Sequence, residues 1–291
     1  MTKTNQLRPA LTLAAVMALF GTVGVFRRYI ELSSAIITLG RGTVGALFLL
    51  IQLRLRGKSP DWDAIRRSLP RLLLSGAFLG INWILFFEAN RRTTVAAATL
   101  AYYMEPSFLI LIAALMGERP GRRGAVCTIV SFVGMVLVSG VLQGGFSGFA
   151  GIALGLGAAV FYTAVVLMNR SLSGLRATDR SMVQLAVAAV VVLPYCLLTE
   201  KAGSLHAPAT SYLLLLVLGV LHTGIAYSVY FDCITRLSAR TTALFSYIDP
   251  VVAVLLSAFL LHEPLGTAGI IGGVLILGAA VVSELPGHTA E

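Results

Sequence analysis

Residues Tyr103-Met104-Glu105-Pro106 return 144 positions later as Tyr247-Ile248-Asp249-Pro250. The same offset relates Phe87-Glu88 to Phe231-Asp232, Arg92 to Arg236 and Gly80 to Gly224. The chain therefore reads as two copies of one unit. Only 12% of its residues are charged and 57% are hydrophobic, whereas a soluble domain carries roughly 25% charge. The units face lipid or one another rather than water. Within a bilayer every backbone polar group must be satisfied internally, so each apolar run is expected to be a helix. The number of runs per copy then decides the architecture, because an odd number turns the second copy over in the membrane.

Ten apolar stretches are long enough, at roughly 20 residues per crossing, to span a membrane. They lie near 9–26, 33–53, 70–88, 94–116, 123–141, 150–169, 181–199, 210–231, 240–261 and 267–284. Five precede the glycine-rich stretch Gly144–Gly148 and five follow it. The expected fold is an all-α membrane protein of ten transmembrane helices in two inverted five-helix repeats. The first repeat takes 1–141, a linker 142–149, and the second repeat 150–291. The gaps are too short for a soluble domain. The longest, about Leu55 to Leu69, predicts a short surface helix near Trp62-Asp63-Ala64-Ile65, with Trp62 at headgroup level. The first stretch is expected to be retained rather than cleaved. Arg27 and Arg28 follow it directly, and its loss would leave the first half one helix short.

Lysine and arginine set the orientation. With the N-terminus in the cytoplasm, 16 basic residues fall in or at the edge of inside gaps and five in outside gaps, and Arg41 is left inside a stretch. This bias predicts cytoplasmic termini in a multi-pass protein of the inner (plasma) membrane. It also accounts for the net charge of +9 without nucleic acid as a partner. Cys127, Cys196 and Cys233 sit in apolar runs without CxxC or Cys/His spacing, so neither a metal site nor a disulfide is expected. No Walker A, GxSxG, HExxH or Rossmann pattern appears, so no cofactor and no enzymatic chemistry is expected.

The third and eighth stretches match closely. Gly76, Gly80, Trp83 and Phe87 share one helical face by their spacing. The glycines admit a neighbouring backbone. Tyr227 and Phe231 take the equivalent positions in the second half. One reading is an aromatic wall on each side of a central cavity, and the other is ordinary bundle packing. The polar tips of Trp83 and Tyr227 near mid-membrane favour the cavity, while Phe87 and Phe231 suit packing. Gly151/Gly155 and Gly269/Gly273 mark further close helix contacts.

The fourth and ninth stretches each place a carboxylate, Glu105 or Asp249, directly before a proline. Proline inside a helix removes a hydrogen bond and frees a carbonyl. An intramembrane carboxylate costs about 2.5–3.5 kcal/mol on insertion scales, and here that cost recurs. Each carboxylate can bind a proton, hold a cationic substrate group, or bond to a neighbouring helix. Arg41 can pair with either of them or grip a substrate carboxylate bidentately. Glu88/Arg92 and Asp232/Arg236 read as i,i+4 anchors, Glu118 and Glu263 as segment ends, and His222 as hydrogen-bonded packing.

The pairing of Tyr103-Met104-Glu105-Pro106 with Gly117-Glu118, and of Tyr247-Ile248-Asp249-Pro250 with His262-Glu263, resembles the duplicated EamA domain of the drug/metabolite transporter superfamily. The second copy departs from the pattern in carrying His262 where glycine is usual. The resemblance spans about 10–141 and 150–284. It implies a secondary transporter with inverted halves and a substrate cavity lined by the third, fourth, eighth and ninth stretches. The candidate substrate-binding residues are Trp83, Phe87, Tyr102, Tyr103, Glu105, Tyr227, Phe231, Tyr247 and Asp249, with Arg41 from the second stretch. The expected activity is export of a small metabolite, such as an amino acid or related compound, by alternating access. The expected partners are that substrate, protons and the lipid bilayer. An importer or exchanger of organic cations is the alternative transport reading, and a membrane-embedded enzyme or a sensor the alternatives of another class. Substrate, direction, coupling ion and oligomeric state stay open on the sequence.

Overall fold

The computed structural model describes residues 4–115, 117, 121–139, 148–172, 174–201, 205–237 and 239–284. The linker before Gly148, and Glu118, lie outside these. Helices cover all ten apolar stretches, and no strand occurs among the described residues. Seven helices, between Arg8–Tyr29 and Ala209–Tyr230, have the length and hydropathy of membrane crossings. Leu244–Phe259 and Thr267–Ser283 are shorter apolar helices. The chain is a multi-pass, all-helical membrane protein. The surface helix forms as Trp62–Arg67, with the Asp61 side chain accepting from the Ala64 N–H at 3.0 Å as an N-cap. Trp62 is 52% exposed.

Several stretches are broken where the sequence suggests continuity. The first is two helices, Thr4–Gly21 and Val23–Tyr29, joined at Thr22. The fourth divides into Val95–Tyr102 and Glu105–Leu115, and the ninth into Ala239–Ser246 and Ile248–Phe259. Pro106 and Pro250 thus stand in the first turn of a new helix rather than in a helix interior. There a missing N–H leaves no hydrogen bond unmade. The break puts Glu105 and Asp249 into that first turn as well, where the positive end of the helix dipole meets a carboxylate. The eighth stretch runs Ala209–Val217, then a π-helical Leu218–Ile225, then Ala226–Arg236.

Packing follows a simple rule. The third segment packs on the sixth and seventh, and the eighth on the first and second. The fourth lies on the sixth, and the ninth on the first. The second meets the seventh, the fourth the ninth, and the fifth the tenth. Advancing each partner by five segments regenerates the same set of contacts, so the two sequence copies occupy equivalent environments.

Glycine sets the closest crossings. A Cβ on Gly80 would sit 3.1 Å from the Ala188 carbonyl of the seventh segment, and one on Gly224 2.5 Å from Phe48 of the second. The fifth and tenth segments cross at Gly134 and Gly272, where a Cβ on Gly134 would lie 2.7 Å from the Gly272 carbonyl oxygen. Gly278, on the same helix, has nothing within 4 Å of its would-be Cβ. Gly272→Val is therefore expected to destabilise the protein by about 1–3 kcal/mol through forced separation. Gly278→Ala should be neutral or stabilising by up to ~1 kcal/mol. Thermal unfolding in detergent separates the two. His262, which replaces the family glycine, has φ 52°, and Gly117 in the first copy has φ 93°. Both copies hold the left-handed backbone that glycine adopts freely, and histidine is among the residues that tolerate it.

Candidate functional site

Between the two halves lies a cavity of about 700 Å³. The third and fourth segments supply Asn82, Trp83, Phe86, Tyr102, Tyr103 and Glu105 to its wall. The eighth and ninth supply Tyr227, Tyr230, Ser246 and Asp249. Arg41 enters from the second segment and Tyr162 from the sixth. One end of the cavity reaches Asn169, Arg180 and Gln184, at the facing ends of the sixth and seventh segments.

The tyrosines form a connected wall. Tyr102 lies 4.9 Å from Phe86, 5.3 Å from Tyr162 and 6.0 Å from Tyr103, between ring centroids. On the opposite side Phe20 meets Tyr227 edge-on at 5.7 Å and Tyr230 at 6.4 Å. These are favourable aromatic separations, and they keep hydroxyls spaced around an otherwise apolar surface. Tyr103 Oη donates to the Ser246 carbonyl at 3.5 Å, which links the fourth segment to the ninth across the middle of the protein.

Arg41 is buried, at 5% exposure. Its Nε donates to Thr223 Oγ1 at 2.7 Å, and that hydroxyl donates to the Leu218 carbonyl at 2.9 Å. The guanidinium carbon stands 4.3 Å from the centroid of Trp83 and 5.9 Å from that of Phe87. This is cation–π geometry in a desolvated setting. Among the described residues no carboxylate comes within the 4 Å of an ion pair with it. Arg41 pairs with neither Glu105 nor Asp249, because stacking on Trp83 and the bond to Thr223 hold it short of both.

The candidate residues thus divide by position. Arg41, Trp83, Tyr102, Tyr103, Glu105, Tyr227 and Asp249 line the cavity. Phe87 is fully buried in the packed core behind Trp83. Tyr247 stands behind Tyr103, 6.5 Å between rings. The side chain of Phe231 lies outside the described residues. Sequence reasoning passed over Asn82, Tyr162, Arg180, Gln184 and Tyr230. Polar tips inside apolar runs were the available signal for Tyr162 and Tyr230. Arg180 was counted only for topology. His222 is fully buried, with Nε2 2.8 Å from Thr22 Oγ1 and its ring edge-on to Phe26 at 4.8 Å, so it ties the eighth segment to the kink in the first.

One helical turn from Thr99 and Ala253 of the cavity wall stands a cluster centred on Glu263. One carboxylate oxygen accepts from the Val95 N–H at 2.7 Å and from Ser257 Oγ at 2.5 Å. The second is ion-paired with Arg28, whose guanidinium also donates to the Thr93 carbonyl at 2.6 Å. Ser257 Oγ in turn accepts from the Ala96 N–H at 3.2 Å. A residue of the second half therefore caps the N-terminus of a helix of the first. Nearby, Glu88 accepts from Ser34 at 2.7 Å and from Arg91 at 3.1 Å, whereas its counterpart pair Asp232–Arg236 is exposed.

Comparison with known proteins places this architecture. An uncharacterized transporter, YxxF of Bacillus subtilis (strain 168), is 24% identical over 277 residues, covering 89% of this chain and 86% of its own. The pseudopaline exporter CntI of Pseudomonas aeruginosa is 29% identical over 190 residues, 62% of this chain and 64% of its own. Protein PecM of Dickeya dadantii (strain 3937) is 25% identical over 220 residues, covering 74% and 73%. One crystal structure superposes with a TM-score of 0.66 at 20% identity, covering 96% of this chain and 98% of that chain, a likeness of fold. The EamA-like transporter family matches twice, at residues 7–140 and 149–284. Two matches to one family, meeting at the break between the two sequence copies, leave one conclusion: the chain belongs to the EamA-like transporter family.

Proposed function

We propose that the protein is a secondary transporter with ten membrane-crossing segments in two inverted halves, exporting a small polar or amphipathic metabolite by alternating access. The observation that carries this reading is the cavity between the halves, with a carboxylate from the same position of each repeat on its wall. The five-segment symmetry of the helix contacts supports inversion. Both termini are then cytoplasmic, the Asn169–Arg180 end of the cavity faces the cytoplasm, and the Glu263 cluster closes the outer side. The conformation is the one that loads an export substrate. The naming of a relative as an exporter agrees with that direction. Glu105 and Asp249 serve as the coupling site, binding a proton or a cation in exchange for substrate. Amino acids and related compounds suit a cavity that mixes tyrosine hydroxyls with both signs of charge.

Purified protein in proteoliposomes, screened over small metabolites with and without a pH gradient, tests the reading. Accumulation that depends on the protein and responds to the gradient is expected. No movement of any compound in either direction would sink it. The topology is checked separately with a reporter active only in the cytoplasm. Fused after Glu291 it should be active, and in the Gly144–Gly148 stretch silent. The reverse pattern would remove the inversion.

A further inference from the structure

The cavity holds two guanidinium groups, and among the described residues neither is ion-paired with a carboxylate. For Arg41, Thr223 satisfies Nε and Trp83 covers one face. Among the described residues no acceptor is bonded to its two terminal nitrogens. Among the described residues Asp249 acts on Arg41 through its charge without coming within ion-pair distance of it. Arg180 lines the end of the cavity near Asn169, and its Nε is buried with no partner. The adjacent carboxylate, Asp179, takes Arg176 at 2.7 Å and the Asp61 N–H at 3.3 Å on Oδ2, while its Oδ1 is buried without a hydrogen-bond partner and makes no bond to Arg180.

A buried cation without a paired anion is unfavourable, and it persists where something else completes it. The free edge of a guanidinium presents two parallel N–H donors, a fork that matches a carboxylate. Cation–π contact with Trp83 holds that fork still, so little order is lost when an anion docks. Arg180, at the mouth, concentrates anions before they reach Arg41. We infer that the transported compound carries a carboxylate, that this group docks on the terminal nitrogens of Arg41, and that it enters past Arg180. The body of the molecule lies against the tyrosine wall. A purely cationic substrate is disfavoured, since it gains nothing from the guanidinium fork and would depend on Glu105 and Asp249 alone against the repulsion of two arginines. This inference rests on the transport reading above and narrows it to carboxylate-bearing compounds, zwitterionic or anionic.

The protein reports on its own site. It has two tryptophans, and Trp62→Phe removes the exposed one, leaving Trp83 beneath Arg41. In that background the probes are 3-phenylpropionate, phenylalanine and 2-phenylethylamine, which share a ring and differ in head group. The two acids should change Trp83 emission saturably, and the amine should not. Phenylalanine binding as well as phenylpropionate would mark a zwitterion site, and phenylpropionate alone an anion site. Arg41→Gln should weaken acid binding about 30-fold, close to 2 kcal/mol. Arg41→Lys keeps the charge but loses the fork and should weaken binding about 10-fold, which keeps the test decisive if the Gln variant fails to fold. Arg180→Gln should slow uptake from the cytoplasmic side more than it weakens equilibrium binding. The inference is overturned if the amine alone binds, if acids bind Arg41→Gln as they bind the parent, or if no acid perturbs Trp83 up to about 10 mM. Vesicles that carry the amine and not the acids would leave the transporter reading standing and remove the carboxylate. Arg41-dependent acid binding without vesicle transport would do the opposite.

Discussion

Asp249→Asn is expected to fold and insert like the parent and to lose transport by about 100-fold, or about 2.8 kcal/mol. That loss is within the range of a hydrogen bond to a charged group. The substitution keeps the shape of the side chain and leaves the Tyr103 bond to the Ser246 carbonyl in place. It removes the charge and the exchangeable proton at the point where the fourth and ninth segments touch. The remaining transport should no longer respond to an imposed pH gradient. Glu105→Gln tests the other repeat. Its effect should be smaller if the substrate uses the two halves unequally, which the asymmetric placement of Arg41 beside Trp83 implies. The measurement is initial rate in proteoliposomes against pH, normalised to inserted protein. Wild-type rates and pH dependence in both variants would make the carboxylates structural.

Glu263→Ala is expected to cost about 2–3 kcal/mol, because it leaves the Val95 N–H and the Ser257 hydroxyl without their acceptor. The lost ion pair with Arg28 adds little, since that guanidinium is 30% exposed and water screens it. Glu263→Gln keeps an acceptor for Val95 and should cost about 1 kcal/mol. The functional effect follows from what the cluster holds together. It joins Thr93–Ala96 of the first half to Ser257 and Glu263 of the second, one helical turn from Thr99 and Ala253 of the cavity wall. Weakening it should shift the population toward an outward-open state. Thr99 is 3% exposed beneath the cluster. A cysteine there, in a background lacking Cys127, Cys196 and Cys233, should react faster with an impermeant outside thiol reagent when Glu263 is replaced. A lower melting temperature with unchanged labelling would make the cluster a simple brace.

The repeat illustrates how far local sequence reaches. A bilayer imposes the same demand on every crossing, that its backbone be internally bonded and its length suffice. Helical character and the equivalence of Glu105 with Asp249, or Gly80 with Gly224, are therefore readable one stretch at a time. The proline breaks were half readable. The sequence marks an interruption, but only the chain's path puts Pro106 and Pro250 in a first turn, which turns a supposed defect into a site where a carboxylate meets a helix N-terminus. The π-helical turn at Leu218–Ile225 had no such mark. It is missing from the matching stretch of the third segment, where Leu69–Arg92 runs as one α-helix.

Arg41, Tyr162 and Glu263 show where the limit lies. Hydropathy places Arg41 inside a helix and says that it cannot face lipid. It does not say whether a carboxylate, an indole or a substrate will meet it, because Trp83 and Thr223 approach from two other segments. Tyr162 sits in a run as apolar as its neighbours and faces the cavity only because the sixth segment packs on the third and fourth. Glu263 reads as the end of a segment and becomes a latch only because Val95, 168 residues away, begins a helix beside it. The sequence by itself determined the all-helical, multi-pass character and the duplication, since these depend on interactions within a stretch and with lipid. The tertiary structure alone decided which faces meet, and with them the cavity wall, the surroundings of Arg41 and Arg180, and the Glu263 cluster. Those depend on close packing between segments that are far apart in the chain.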